Sequence, residues 1–270
     1  MITLLTYENK KRAVLAVIAM AVALWIAIDA VAGGAQYWSR VWLRLPLILT
    51  GSGSGWPVTG GFVLNILLSI AAMAVATALG TVMGLATLAK SPFVRLPSFF
   101  VMNFLRNSPW LVLLFAMLYI LPFEMRIFGV MIPFPPFVKA VIGLALPTAA
   151  NFSEVIRGAV QSIHSGQWEA SRSLGYTQLQ IYRHVILPQA FRRMIPGWMN
   201  LYALLMIATA LATVTGIQDV LTILNTSLAM ESDRVIVYFY LTILFLFFGY
   251  CYPIAILARR LENAVKGDNL

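Results

Sequence analysis

Uninterrupted apolar runs of membrane-spanning length dominate this sequence. Residues 62–89 and 235–257 contain no charged side chain, and each run is longer than the roughly 20 residues that a helix needs to cross a bilayer. Over the whole chain 60% of residues are hydrophobic and 11% are charged, whereas soluble domains are about 25% charged. These features exclude a soluble fold. They predict an all-α polytopic membrane protein with about six transmembrane helices.

Polar and proline-rich breaks divide the apolar sequence into spans. The six predicted spans cover residues 13–32, 62–89, 96–121, 140–160, 195–217 and 235–257. We interpret the first as a membrane anchor and not a signal peptide, because it exceeds the about 7–15 residues of a signal-peptide core. The third is interrupted at residues 106–109, where Ser108 is expected to cap a helix that starts with Pro109. Gly80 and Gly84 in the second span have GxxxG spacing, which favours close helix packing.

The connections between spans are predicted to be loops. Residues 33–61 have the glycines, serines and interfacial tryptophans of an external loop, and a proline-rich loop follows Leu121. An acidic loop with Asp219, Glu231 and Asp233 joins the last two spans. The chain therefore divides into residues 1–59 (cytoplasmic stub, first helix and external loop), residues 60–258 (transmembrane core with a polar segment at 161–193) and residues 259–270 (cytoplasmic tail).

Positive charge follows the predicted topology. Thirteen of the 19 lysines and arginines fall on one side of the six spans, together with both termini and the segment 161–193, and five fall on the other. The positive-inside rule makes the first side cytoplasmic. The net charge of +9 therefore reflects orientation in the membrane, and we predict no nucleic-acid partner.

Residues for chemistry are scarce. Cys251 is the single cysteine, and His164 and His184 belong to no metal-ligand cluster or nucleophile arrangement. The chain also lacks the glycine-rich P-loop that binds ATP. We therefore predict no catalytic residue, no metal site and no cofactor in this chain, which makes it a non-enzyme.

The segment 161–193 has the pattern of two short helices joined at a glycine. Residues 167–174 favour a helix, and Gly175 suits the left-handed residue that closes it. Thr177 and Gln180 have capping-box spacing, and Pro188 is expected to end the second helix. Its small and apolar residues suit an interface, and they are Trp168, Ala170, Ser171, Ser173, Leu174, Tyr176, Ile181 and Tyr182. Docking into a partner's groove and resting on lipid headgroups are both open on these residues.

Several motifs carry a family resemblance. Glu169-Ala170-Ser171, Gly175 and the ending Val185-Ile186-Leu187-Pro188 resemble the EAA loop of bacterial ABC importer permeases, with Ser and Val at two positions of that pattern. Residues 106–112, 153–158, 166–170 and 187–192 resemble the polar amino acid branch, of the histidine, glutamine and glutamate type. The similarity covers about residues 60–260.

The resemblance implies a permease subunit of a type I ABC importer in the bacterial inner membrane, carrying a polar amino acid or related compound. The implied partners are two ATPase subunits that bind ATP and Mg, a second permease that is identical or homologous, an external substrate-binding protein and membrane lipid. It also assigns contact with the ATPase to the EAA segment. The coupling residues so implied are Trp168, Glu169, Ala170, Ser171, Gly175, Tyr176, Leu187 and Pro188.

Polar residues inside the spans are candidates for the substrate path. Glu154 and Arg157 are three residues apart and form either a structural pair or a gate. Arg106, beside Asn107, meets either a substrate carboxylate or the headgroups and backbone carbonyls near the break. Thr209 and Thr213 are the remaining candidates, although such hydroxyls often bond their own backbone.

One departure from the family bears on the substrate. Many members of this branch carry a charged pair where this chain has Ile207-Ala208. The chain is thus either the non-binding partner in a heterodimer or specific for a less conventional ligand. A stand-alone secondary transporter or channel is the alternative function, for which Asp29 and Glu154 are the acidic candidates near the spans.

Overall fold

Helices make up nearly all of the fold. The computed structural model describes residue 29 and residues 33–127, 130–228 and 233–267. Its elements are α1 (Ala35–Thr50), α2 (Gly61–Thr87), α3 (Pro92–Asn107), α4 (Trp110–Ile120), β1 (Glu124–Ile127), β2 (Val130–Pro133), α5 (Pro136–Gln161), α6 (Ser165–Ser173), α7 (Gln178–Gln180), α8 (Leu187–Ala208), α9 (Val220–Leu228) and α10 (Asp233–Gly267). A π-helical turn (Ile181–Ile186) joins α7 to α8, and a 3₁₀ helix (Thr209–Thr215) extends α8. The predicted all-α class is confirmed, with one small hairpin added.

Three of the six predicted spans correspond to helices that could cross a membrane, a fourth corresponds to a bent helix pair, and α5 does not pass the same test. Within the described residues, Gly61–Thr87, Gln178–Thr215 and Val235–Ala264 are long and apolar enough to cross a membrane. Helices α3 and α4 reach that length only together and meet at an angle of 107°, which confirms the predicted break and makes the pair a broken span or a re-entrant loop. The fourth predicted span lies in the 26-residue α5. Apart from Asp29, the first predicted span lies outside the described residues.

The break between α3 and α4 differs in detail from the prediction. Ser108 does not cap α4, because its hydroxyl donates to the carbonyl of Phe104 in α3 at 2.7 Å. The residue before a proline is driven into extended conformation, and Ser108 adopts φ −81° and ψ 137°. Pro109 occupies the cap position and α4 begins at Trp110.

Close packing of α2 against α5 forms the centre of the bundle. A Cβ added to Gly80 would lie 2.7 Å from the carbonyl oxygen of Ala149, and one added to Gly84 would lie 3.1 Å from the Cβ of Ile156. The GxxxG prediction of tight packing is therefore confirmed. The later glycine of α2 meets the later residue of α5, so α2 and α5 run parallel.

Polar side chains link α2 to α8 and its 3₁₀ extension, and α8 to α10. The linked pairs are Asn65 with Thr209 at 3.1 Å, Ser69 with Tyr202 at 3.2 Å, Thr77 with Trp198 at 2.8 Å, and Tyr202 with Tyr250 at 2.7 Å. The partners on α8 rise in number as those on α2 fall, so the two helices are antiparallel. Buried hydrogen bonds of this kind hold transmembrane helices in one register.

These helix directions sort the connections to two ends of the bundle. At one end Arg193 of α8 donates to the carbonyl of Ser162, just after α5, at 2.6 Å. At the other end the backbone N–H of Gly61 donates to the carbonyl of Gln218 at 2.9 Å, which joins the start of α2 to the loop after the 3₁₀ helix. The segment 162–186 and the β-hairpin consequently lie at opposite ends.

Two predicted loops contain regular structure. Residues 35–50 form helix α1 because Val41 and Ile48 share a face that packs into a cluster with α8, α9 and α10. The glycine tract that follows is the actual loop. After Leu121 the chain forms the β1–β2 hairpin, and Pro136 then occupies the first turn of α5, where its missing N–H costs no hydrogen bond.

The predicted acidic loop is largely buried or helical. Asp219 is fully buried and accepts hydrogen bonds from the N–H of Thr222 at 2.9 Å and from the hydroxyl of Thr213 at 2.9 Å. It caps the N-terminus of α9, where a carboxylate is favourable. Asp233 starts α10, and Glu231 lies outside the described residues.

Lys139, which charge counting assigns to an external loop, is completely buried. Its ammonium group donates to the carbonyls of Leu118 and Leu121 at 3.1 and 2.8 Å, and it lies 3.8 Å from the centre of the Phe123 ring. Lysine at a helix C-terminus satisfies its last carbonyls and complements its dipole. Lys139 thus ties the end of α4 to the start of α5.

A glycine substitution tests the α2–α5 contact. Gly80→Leu forces the helices apart, so we expect it to lower stability by about 1–3 kcal/mol. That loss corresponds to a drop of roughly 2–10 °C in Tm for a chain of this size, measured in detergent. Gly249→Leu is the matched control, because a Cβ at Gly249 meets nothing within 4 Å. Equal losses for both variants would contradict the packing described above.

Candidate functional site

The helix–turn–helix at residues 165–180 is defined by two complementary caps. Helix α6 ends at Ser173 and is closed by Gly175, whose φ is +77°. The N–H of Tyr176 donates to the carbonyl of Ser171 at 3.1 Å and that of Gly175 to Arg172 at 2.9 Å, which is the Schellman arrangement. The predicted left-handed glycine is confirmed. The helix begins at Ser165, two residues before the predicted start, because His164 accepts a hydrogen bond from the N–H of Gly166.

The second helix starts with the predicted capping box. The hydroxyl of Thr177 accepts from the N–H of Gln180 at 3.4 Å, and the N–H of Thr177 donates to the Gln180 side chain at 2.8 Å. The prediction that Pro188 ends this helix is wrong. The chain continues as a helix from Gln178 to Thr215.

A π-helical turn explains how the helix passes Pro188. In an α-helix the proline ring would clash with the carbonyl four residues earlier, and its nitrogen donates no hydrogen bond. Here residues 181–186 widen into a π-helix, so that the N–H of Leu187 donates to the carbonyl of Tyr182 five residues back. Pro188 then occupies the first turn of α8. The second helix of the helix–turn–helix and α8 therefore form one continuous helix.

One side of the helix–turn–helix packs onto its own chain. Ser171 is buried, and Ile181 and Ile186 lie in a cluster with Ala159 and Ala190. Trp168 and Tyr182 pack against this cluster and meet each other edge to face, with ring centres 5.2 Å apart. Ser171, Ile181, Trp168 and Tyr182 were predicted as contact residues for a partner. Within this chain they form the base of the segment on α5 and α8, and their contact with a partner stays a prediction.

The opposite side presents an exposed apolar surface. Leu174, Tyr176 and Leu179 are 74%, 43% and 76% exposed, and Glu169 and Ala170 are exposed beside them. We call Leu174, Tyr176 and Leu179 the turn patch. Leu179 was not predicted as a contact residue. The sequence held a signal for it, because Leu179 is an apolar residue on the face of the second helix opposite Ile181 and Tyr182. Leu187 and Pro188, also predicted, are exposed at the start of α8.

Charged side chains connect the broken span to α5. Glu154 and Arg157 form the predicted i,i+3 pair, with the Arg157 Nε donating to Glu154 Oε2 at 2.9 Å. Arg157 also donates to Gln161 at 2.6 Å. Arg106, at the end of α3, lies 3.5 Å from the same Glu154 carboxylate. Neighbouring Asn107 donates to the carbonyl of Asn103 within α3 at 2.7 Å. In this conformation Arg106 therefore pairs with a protein carboxylate.

The two threonines proposed for the substrate path bond their own backbone. Thr209 is fully buried and donates to the carbonyl of Met206 at 2.7 Å, while Thr213 donates to Ala210 at 3.1 Å and to Asp219. At this level the exposed face of α8 is apolar, with Ile207 exposed by 55%. Assignment of a substrate contact to Thr209 or Thr213 stays a prediction.

The apolar helices, their buried polar links and the protruding helix pair at one end are those of a multi-pass membrane protein. Residues 76–267 match the family described as the inner membrane component of binding-protein-dependent transport systems, and the chain belongs to that family. The family is a transport component and not a catalytic subunit. The resemblance found in the sequence is thereby confirmed.

Individual relatives agree with this assignment. The probable amino-acid permease YxeN of Bacillus subtilis is 37% identical over 58% of this chain and 68% of its own length. The L-cystine permease TcyB of the same species is 31% identical over 78% and 90%. The glutamine permease GlnP of Escherichia coli is 26% identical over 85% and 97%.

Solved structures agree as well. An amino acid ABC transporter crystallised with histidines superposes with a TM-score of 0.66 and 25% identity, over 75% of this chain and 91% of that one. The inward-facing MetNI methionine transporter superposes with a TM-score of 0.57 at 19% identity, over 84% and 98%, which supports the fold alone.

The charged cluster at the break yields a ranked prediction. Arg157 makes two hydrogen bonds to Glu154, whereas Arg106 makes one longer contact, so Arg157→Gln should cost more stability than Arg106→Gln. We expect a loss of about 1 kcal/mol for Arg157→Gln and less for Arg106→Gln, measured as Tm in detergent. In the background of Glu154→Gln both effects should shrink. A larger loss for Arg106→Gln than for Arg157→Gln would refute this ranking.

Proposed function

We propose that this chain is the permease subunit of an ATP-driven importer for an amino acid or a related compound, and that ATPase subunits drive it through the turn patch. The observation that carries the proposal is the two-sided helix–turn–helix. Its inner side is locked to α5 and α8 by a buried cluster, and its outer side exposes Leu174, Tyr176 and Leu179. Exposed apolar anchors on a rigid support are typical of docking surfaces.

The mechanical step follows from the helical continuity. Motion of a docked ATPase displaces α6 and α7, and the π-helical turn passes that displacement directly into α8. Arg193 and Ser162 pass it into the end of α5. Rocking of a helix bundle about a fixed substrate site is how such transporters alternate access. Two ATPase copies, a second permease and an external binding protein complete the proposed assembly, with both termini of this chain in the cytoplasm.

A glycine pair tests the coupling role. Gly175→Val places a β-branched side chain at φ +77°, which costs about 1–2 kcal/mol in the turn and changes the angle between α6 and α7. We expect ATP hydrolysis to continue while ATP-driven uptake falls at least about tenfold, which corresponds to about 1.4 kcal/mol of lost coupling.

Gly216→Val is the matched control for this experiment. Gly216 has φ +79° and, like Gly175, open space around its Cβ position, but it lies at the other end of the bundle. The Gly216→Val variant should keep the normal ratio of ATP hydrolysed to substrate taken up. Normal coupling in the Gly175 variant would remove the proposed role of the turn.

We also propose that the permease pair is formed by two different chains. Leu204, Ile207 and Leu211 make the exposed face of α8 apolar at the level where the 3₁₀ helix begins. The ammonium and carboxylate groups of an amino acid need charged or hydrogen-bonding partners when they leave water. A homologous second permease would supply them.

Two differently tagged copies of this chain test the mixed pair. When they are co-expressed with the ATPase and the second permease, we expect purification through one tag to recover the second permease but not the other tag. Recovery of both tags in a transport-active complex would establish a pair of identical subunits and exclude the mixed pair.

The alternative of a stand-alone transporter or channel has little support. Its acidic candidates are both engaged, since Glu154 pairs with two arginines and Asp29 accepts a hydrogen bond from Tyr238. The family and its solved members are importers of the ATP-driven class.

A further inference from the structure

The β-hairpin between α4 and α5 is a second exposed surface, at the end of the bundle remote from the turn patch. Its two strands pair with each other and with no further strand among the described residues. Val130, Met131 and Ile132 are 64%, 60% and 39% exposed. A two-stranded ribbon without a packed face is marginal in water. The exposed ribbon therefore needs an apolar surface to rest on.

Strand register divides the hairpin into two chemically different faces. Val130 and Ile132 are two residues apart on β2, so they share one face of the hairpin. We call this face the ribbon face, and both of these side chains are apolar and exposed. The alternate positions form the other face, and they are Glu124, Arg126, Met131 and Pro133. The hairpin is thus amphipathic.

The base of the hairpin is fixed to the end of α4. The N–H of Phe134 donates to the carbonyl of Phe123 at 2.8 Å, which closes the ribbon. Lys139 lies over the Phe123 ring and holds the last carbonyls of α4. These contacts set the level of the ribbon at the point where the broken span ends.

The surface next to that base is also apolar and exposed. Tyr119, Ile120 and Phe123 are 80%, 71% and 70% exposed, and α4, which carries the first two, contains no charged residue. Helices α3 and α4 are long and apolar enough for a span only as a bent pair, and the exposed end of α4 at the hairpin suits the edge of the apolar layer of a bilayer. Aromatic residues are typical of that level.

We propose that the ribbon face lies on the lipid of the leaflet opposite the turn patch, as an interfacial extension of the broken span. The apolar surface of α4 is continuous with the hairpin through Phe123, so lipid that covers one reaches the other. Glu124 and Arg126 on the other face then point to the headgroups and water. A strand of four residues is about 13 Å long, which exceeds the roughly 5–8 Å depth of one interfacial layer, so the ribbon lies along the bilayer surface and not across it.

A protein partner, such as the external binding protein, is the competing occupant. It would have to cover an apolar face that borders directly on lipid-exposed helix residues. Transient protein–protein interfaces are about as apolar as the rest of a protein surface. The hairpin face with Glu124 and Arg126 therefore fits a protein partner better than the ribbon face does. The observations therefore favour lipid for the ribbon face.

Spin labels on the two faces test this proposal. Cys251 is the single cysteine of the chain, so a Cys251→Ala background accepts one label at a time. Val130→Cys and Ile132→Cys report on the ribbon face, and Met131→Cys and Arg126→Cys are the matched controls. The full-length chain is placed in nanodiscs of phosphatidylethanolamine and phosphatidylglycerol. Relaxation of the spin label by oxygen, which concentrates in lipid, is compared with its relaxation by a nickel chelate, which stays in water.

We expect the ratio of oxygen to nickel accessibility to be several-fold higher at positions 130 and 132 than at 126 and 131. Equal ratios at all four positions would overturn the proposal. Shielding of 130 and 132 that arises only after a binding protein is added would also overturn it, in favour of a protein partner. The test needs neither ATPase nor transport, so its outcome is independent of the proposed function.

Discussion

The fold depends on one constraint, which is that polar groups inside an apolar medium must find their partners within the chain. Among the described residues, no buried side-chain nitrogen or oxygen lacks a hydrogen-bond partner. Asn65 illustrates the consequence, since it links α2 both to Thr209 and to the backbone N–H of Val220. Lys139 does the same for the end of α4. These buried bonds set helix register, while glycines permit the close approach of α2 and α5.

The same constraint explains how a displacement at one end is carried into the bundle. The helix–turn–helix stands on a buried cluster that includes residues of α5 and α8, and its second helix runs into α8 without a break. From α5, Glu154 reaches Arg106 at the bend of the broken span. Packed or hydrogen-bonded contacts therefore connect the turn patch to α5, α8 and α3, as the proposed coupling requires.

Local chemistry determined what the sequence could predict. The long apolar runs, the break before Pro109, the left-handed Gly175 and the capping box of Thr177 each depend on neighbouring residues, and each is confirmed. Predictions failed where a distant part of the chain decides. Val41 and Ile48 pack into a cluster with residues of α8, α9 and α10, and the residues beside Asp219 are held by the distant start of α2, through Gly61 and Asn65. The failure at Pro188 has a local cause, because the preceding π-helical turn makes room for the proline.

The central claim is that the turn patch faces the cell interior and is bound by an ATPase subunit. Labelling of Leu179→Cys with a membrane-impermeant maleimide, in the Cys251→Ala background, tests it directly. The account predicts no labelling of cells that have a permeabilised outer membrane and an intact inner membrane. It predicts strong labelling of inside-out vesicles stripped of the ATPase, and protection from labelling when the ATPase is bound again. Gly53→Cys, in an exposed connection at the other end, should show the opposite sidedness. Labelling of position 179 from outside, or no protection by the bound ATPase, would contradict the account.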